Sequence, residues 1–84
     1  MALELNDLIT VGAVFAPGSI RPAWFAWRGR RYRVDEVAYT WESREGMARF
    51  YHFSVVSGAN IYEIAYNAAE RNWELKGVEQ DWRG

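Results

Sequence analysis

His52 is the only histidine in the chain, and there is no cysteine. That inventory removes a thiolate nucleophile and any zinc site built from cysteines or several histidines. A serine, histidine and acid relay would have to run through His52. Strand pairing sets His52 beside Glu63 on an outer sheet face, where it reads as a partly exposed strand residue. No serine stands in the strand, turn and helix context of a nucleophile elbow. Asp35 and Glu36 are the tempting acid and base couple, but neighbours along a strand point to opposite faces. Glu79 and Asp81 read as solvating charges. Neither GxxxxGK[ST] nor GxGxxG occurs, so no glycine loop is available to cradle phosphate. No catalytic residue, metal ligand or cofactor is expected, and the chain reads as a non-enzyme.

The remaining chemistry is a run of arginines. Arg21, Arg28, Arg30, Arg31 and Arg33 fall in one stretch without an acid. Of ten Lys and Arg and eleven Asp and Glu, that leaves five bases and eleven acids elsewhere, so the charge is +5 here and −6 in the rest. Strand alternation puts Trp24 on one face with Arg28, Arg31 and Arg33. With Arg30 at the turn, these residues form a candidate binding surface. A flat aromatic among guanidinium groups is what the bases and phosphates of a single strand would meet. The competing reading is a Trp24 packed beneath an arginine or under the first strand, with the arginines paired to acids elsewhere. A pI near 5.8 weighs against nucleic acid overall, although only a local patch is needed.

The elements that must position this patch are strands. Pro17-Gly18, Gly29, Gly46, Gly58 and the polar stretch from Asn67 to Asn72 punctuate short runs rich in Val, Ile, Tyr, Phe and Trp. This is the spacing of an antiparallel meander. The expectation is one all-β domain over 1–84, a single antiparallel sheet of five to six strands, strongly bent or closed into a small open barrel. The strands are placed near 9–16, 22–28, 31–41, 48–56, 61–66 and 73–79. Residues 1–8 are a short helix or a frayed lead-in, and 65–70 offers at most a helical turn. Pro17-Gly18 suits a type II turn, and Pro22 suits the opening of the second strand.

Parity then sorts the side chains. Around a tight turn at Arg28 to Arg30, one face carries Phe25, Trp27, Tyr32 and Val34, and the other carries Trp24, Ala26, Arg28, Arg31 and Arg33. With Gly58-Ala59 as a turn, Val55 opposes Tyr62, Phe53 opposes Ile64 and Tyr51 opposes Tyr66. Apolar parity breaks after Val34 and again across Lys76-Gly77. Bulges near Asp35 and Gly77 would return Val37, Tyr39 and Trp41 to the inner face of one strand and Val78 to that of another. The expected core is Phe25, Trp27, Tyr32, Val34, Val37, Tyr39, Phe53, Val55, Tyr62, Ile64, Trp73 and Leu75.

The run Trp27-Arg28-Gly29-Arg30-Arg31-Tyr32-Arg33-Val34, with Val37, Trp41, Tyr62-Glu63 and Trp73-Glu74-Leu75, carries a resemblance. It is similar to small uncharacterised bacterial β-domains with a W-x-G-R-x-Y-x-V start and a W-x-L end. Some of these are encoded beside inactive Y-family polymerase homologues of mutagenic repair cassettes. The resemblance covers about residues 20–79. It implies a compact antiparallel domain and supplies no catalytic residues.

Met1 to Thr10 carries acids rather than a basic start before an apolar run, and no stretch approaches the ~18 apolar residues of a membrane span. A soluble cytoplasmic protein with no membrane contact is expected. With Trp24, Phe50, Val56 and Ile61 left on outer faces and with open sheet edges, the expected function is an accessory module that binds a protein partner or a second copy. The alternative is single-stranded nucleic-acid binding through the hairpin at 21–33.

Overall fold

A computed structural model describes residues 2–80. They form seven strands: β1 (Ala2–Ala16), β2 (Ser19–Trp27), β3 (Arg30–Arg33), β4 (Glu36–Glu45), β5 (Ala48–Ser57), β6 (Asn60–Asn67) and β7 (Asn72–Gln80). All pair antiparallel in one open sheet of order β3-β2-β1-β7-β6-β5-β4. β3 and β4 are therefore its edges.

The two tight hairpins keep the expected register. Phe25 faces Tyr32 and Trp27 faces Arg30, so the turn is Arg28-Gly29, with φ of 53° and 77°. Both central residues of a type I′ turn need positive φ, which Gly29 adopts freely. Val55 faces Tyr62, Phe53 faces Ile64 and Tyr51 faces Tyr66. The break at Gly77 is also present. Glu63 faces Gly77 while Ile64 faces Leu75, leaving Lys76 as the extra residue.

Five expectations are corrected. There are seven strands, not five or six, because the long strand placed at 31–41 is two. At Val34 and Asp35 the chain leaves one sheet edge for the other. The Val34 amide bonds the Ala23 carbonyl at 2.9 Å, and the Asp35 amide bonds the Val56 carbonyl at 2.8 Å. The bulge lies further on, at Ala38: Val37 faces Val55, but Tyr39 faces Ser54. One residue of slip exchanges faces, so Tyr39 and Trp41 are outside, and Tyr39 is 72% exposed rather than in the core.

Residues 2–8 are neither frayed nor helical but the first half of β1, which pairs with β7 there and with β2 from Thr10 onward. Residue 1 lies outside the described residues. Ala65 to Asn67 end β6, and the turn follows. β2 begins at Ser19 directly after Pro17-Gly18, where Gly18 has φ of 77°. Pro22 therefore sits inside β2 at the irregularity opposite Gly12 and Ala13, a place where a missing donor is tolerated.

The sheet is bent over its inner face. Phe25 of β2 and Tyr62 of β6 have ring centroids 5.0 Å apart, although three strand spacings of ~4.8 Å separate their strands in the sheet. Phe25, Phe53, Val55, Tyr62, Ile64, Trp73 and Leu75 fill the enclosed core, with Trp27, Tyr32, Val34 and Val37 packed against it. No helix among the described residues is long and apolar enough to cross a membrane.

Candidate functional site

Three features converge on the strands that border the open sheet: the arginine hairpin, a cleft, and an outer layer around His52.

In the hairpin, Trp24 faces Arg33 across β3 and Gly12 across β1. Gly12 has no side chain, and the indole fills the space that one would occupy. A Cβ at Gly12 would lie 2.0 Å from the indole Nε1. The Arg31 guanidinium lies over the ring, 4.1 Å from its centroid. Trp24 is thus half-buried between a glycine and an arginine, and is not a bare stacking platform. Arg28 lies over Trp27 at 4.6 Å and pairs with Asp7 at 3.6 Å. The Trp27 indole N–H donates to the same Asp7 carboxylate at 2.8 Å. Arg33 pairs with Asp35 at 3.5 Å. Arg30 is exposed beyond the turn. Of the predicted surface, Trp24, Arg31 and Arg33 come together on one face, while Arg28 turns toward Asp7. Exposed pairs of this kind contribute ~0–1 kcal/mol and leave the arginines available to another anion.

The cleft was not foreseen. It holds about 850 Å³ and lies between the β1–β2 turn and strands β4 and β5, lined among others by Phe15, Ile20, Trp41, Glu42, Tyr51 and Phe53. Phe15 is 58% exposed and leans edge-on against Tyr66 at 5.4 Å. The residues of this cleft come from three separate parts of the sequence, and only the bending of the sheet joins them.

The outer layer overturns one expectation and extends another. His52 is on the outer face, as parity requires, yet it is buried: Trp41 stacks on it at 5.1 Å with rings 4° from parallel, and Phe50 flanks it at 6.1 Å. Phe50 is itself buried, with the Lys76 ammonium 5.3 Å from its ring. The imidazole Nε2 shares a hydrogen bond of 2.7 Å with the Ser43 hydroxyl. Its Nδ1 is 3.9 Å from Glu63 and has no hydrogen-bond partner among the described residues. Hydroxyl, imidazole and carboxylate stand in relay order, but the second link is too long to be a hydrogen bond. Burial holds the His52 pKa below its usual value; Glu63 and Glu45 oppose the shift and Lys76 adds to it. Among the described residues, no group of three or more His, Asp or Glu is placed to hold a metal ion.

Comparison with protein-family models, curated proteins and solved structures gives no match.

Proposed function

We propose that this chain is a non-enzymatic interaction module that takes an extended segment of a protein partner as an added strand along β4. The observation that carries the reading is an edge strand of ten residues bordering a cleft of mixed polar and apolar lining, with Phe15 58% and Trp41 42% exposed at the cleft and Tyr39 72% exposed on the outer face of the strand. An edge strand offers a row of backbone donors and acceptors that an extended peptide satisfies. Alternate side chains of that peptide would enter the cleft against Phe15, Ile20 and Phe53, while the others face water. On the face of β4 away from the cleft stand Glu36 and Glu45 without a base, whereas Glu42 and Arg44 share the cleft side. That balance favours a partner segment with lysine or arginine in the water-facing positions and disfavours two copies of β4 side by side.

The test is an NMR titration with a capped octapeptide alternating valine and lysine, beside its valine and glutamate counterpart, with sedimentation of the free protein. The lysine peptide is expected to shift amides at 15–20, 40–42 and 51–53, more tightly than the glutamate peptide. Phe15→Asp, at an exposed position, is expected to abolish the shifts while leaving the fold intact. Shifts confined elsewhere, or a concentration-dependent dimer built through β4, would overturn the reading.

A further inference from the structure

The face of β1, β2 and β3 that points away from the core has a different chemistry from the cleft. Strand register places Gly12, Trp24, Ala26, Arg31 and Arg33 on it. Beyond the irregularity at Gly12 and Ala13, Val14 and Arg21 join them. β2 and β3 contain no acid, and neither does β1 from Thr10 to Ala16. The acid nearest in sequence is Asp35, just past the end of β3, in a water-exposed pair with Arg33.

The order within this face is more informative than its charge. An arginine side chain carries about 2 kcal/mol of rotamer entropy, which a ligand must overcome when it fixes the guanidinium. Here the guanidinium already has a seat. The missing side chain of Gly12 lets the Trp24 indole lie against the strand, and the indole seats the Arg31 guanidinium 4.1 Å above its centroid. The far side of the guanidinium faces solvent, because Arg31 is exposed. A planar cation seated over an indole, exposed to solvent, with Arg33 beside it and Arg21 further along the same face, fits a ligand made of flat rings joined by anions. Unpaired nucleobases stack on guanidinium planes as they do on aromatic rings, and their phosphates take neighbouring arginines.

We infer that Gly12, Trp24 and Arg31 form a built stack that binds single-stranded nucleic acid, one base resting on the Arg31 guanidinium and the flanking phosphates meeting Arg21 and Arg33. The inference is independent of the partner cleft, which opens on the opposite face of the sheet. Duplex nucleic acid does not fit the same chemistry, since its bases are already stacked on one another.

Substitutions that leave net charge unchanged separate this from simple attraction between basic and acidic molecules. The experiment measures fluorescence anisotropy of labelled fifteen-residue oligo-dT and oligo-U, with a duplex and with heparin as a polyanion lacking bases, across a salt series. The proteins are the full chain, Arg31→Lys and Gly12→Ala, each checked for an unchanged thermal melt. Arg31→Lys keeps the charge and loses the plane. Gly12→Ala keeps every charge and pushes the indole off the strand. Both are expected to weaken oligonucleotide binding at least about fivefold, the low end of what one stacked base contributes. The salt dependence and the heparin affinity are expected to stay unchanged. If Gly12→Ala fails to fold, the surface variant Arg31→Lys decides alone. Equal oligonucleotide affinity for the full chain and Arg31→Lys, a parallel loss of heparin, tighter binding of the duplex, or no binding at low salt would each overturn the inference.

Discussion

The hydroxyl of Ser43 on β4 and the imidazole of His52 on β5 share a 2.7 Å hydrogen bond beneath the ring of Trp41. This contact fixes one nitrogen of a buried imidazole, while the other has no hydrogen-bond partner among the described residues. Because burial lowers the His52 pKa, the folded protein binds this proton less readily than the unfolded chain, whose histidine titrates near 6.5. Protonation then favours the unfolded state. The contribution of His52 to stability is whole above pH ~6.5 and declines as pH falls below it. Urea midpoints at pH 7.5 and 5.5, taken on the native chain and on His52→Gln, isolate this from carboxylate titration. The native chain is expected to lose more stability over that interval, and parallel losses would refute the assignment.

Asp7 ties the first strand to the arginine hairpin by accepting the Trp27 indole N–H at 2.8 Å and pairing with Arg28 at 3.6 Å. Asp7→Ala leaves a part-buried N–H without an acceptor, which costs about 1–3 kcal/mol. Asp7→Asn keeps an oxygen acceptor and gives up only the exposed ion pair, so it is expected to cost less than ~1 kcal/mol. Chemical denaturation of the two variants checks the order. If they are equally unstable, the hydrogen bond to Trp27 is not what Asp7 contributes.

Much of the fold was legible because hairpins with two-residue turns permit only one pairing of odd and even positions. Phe25, Phe53, Val55, Tyr62 and Ile64 were placed in the core on that ground, and all are buried. Tyr39 was misplaced because one extra residue at Ala38 reverses every position after it, and alanine fits either face. That same reversal carried Trp41 outward onto His52 and hid the outer aromatic layer. The cleft depends on how far the sheet bends, which no local pattern encodes. The partner of Trp24 did leave a trace: a glycine inside a strand often marks close approach of another group, and Gly12 lies in the middle of β1.

The corrected core makes a paired prediction. Ile64 and Leu75 face each other across β6 and β7 and are fully buried. Truncating either to alanine removes buried methyl groups and leaves a cavity, at about 2–5 kcal/mol. Tyr39→Ala touches an exposed outer position and is expected to stay within ~0.5 kcal/mol. Thermal or urea unfolding distinguishes them, and a large loss at Tyr39 would mean that it packs inward after all.

The turn between β6 and β7 stores strain that a single substitution should release. Arg71 has φ of 56°, in the left-handed region, while its amide bonds the Asn67 carbonyl at 2.7 Å. For residues with a side chain that conformation costs roughly 1–2 kcal/mol, whereas glycine adopts it freely. The exposed side chain of Arg71 has no salt bridge among the described residues to offset this. Arg71→Gly is therefore expected to raise stability by about 0.5–1 kcal/mol, the strain relieved less the extra freedom glycine gives the unfolded chain. Asn67 works in the opposite direction. Its side-chain oxygen accepts the amides of Ala69 and Glu70, each at 3.0 Å, so Asn67→Ala orphans both and is expected to cost about 1 kcal/mol or more. A midpoint that falls in Arg71→Gly would show that the arginine contributes contacts outweighing its backbone strain.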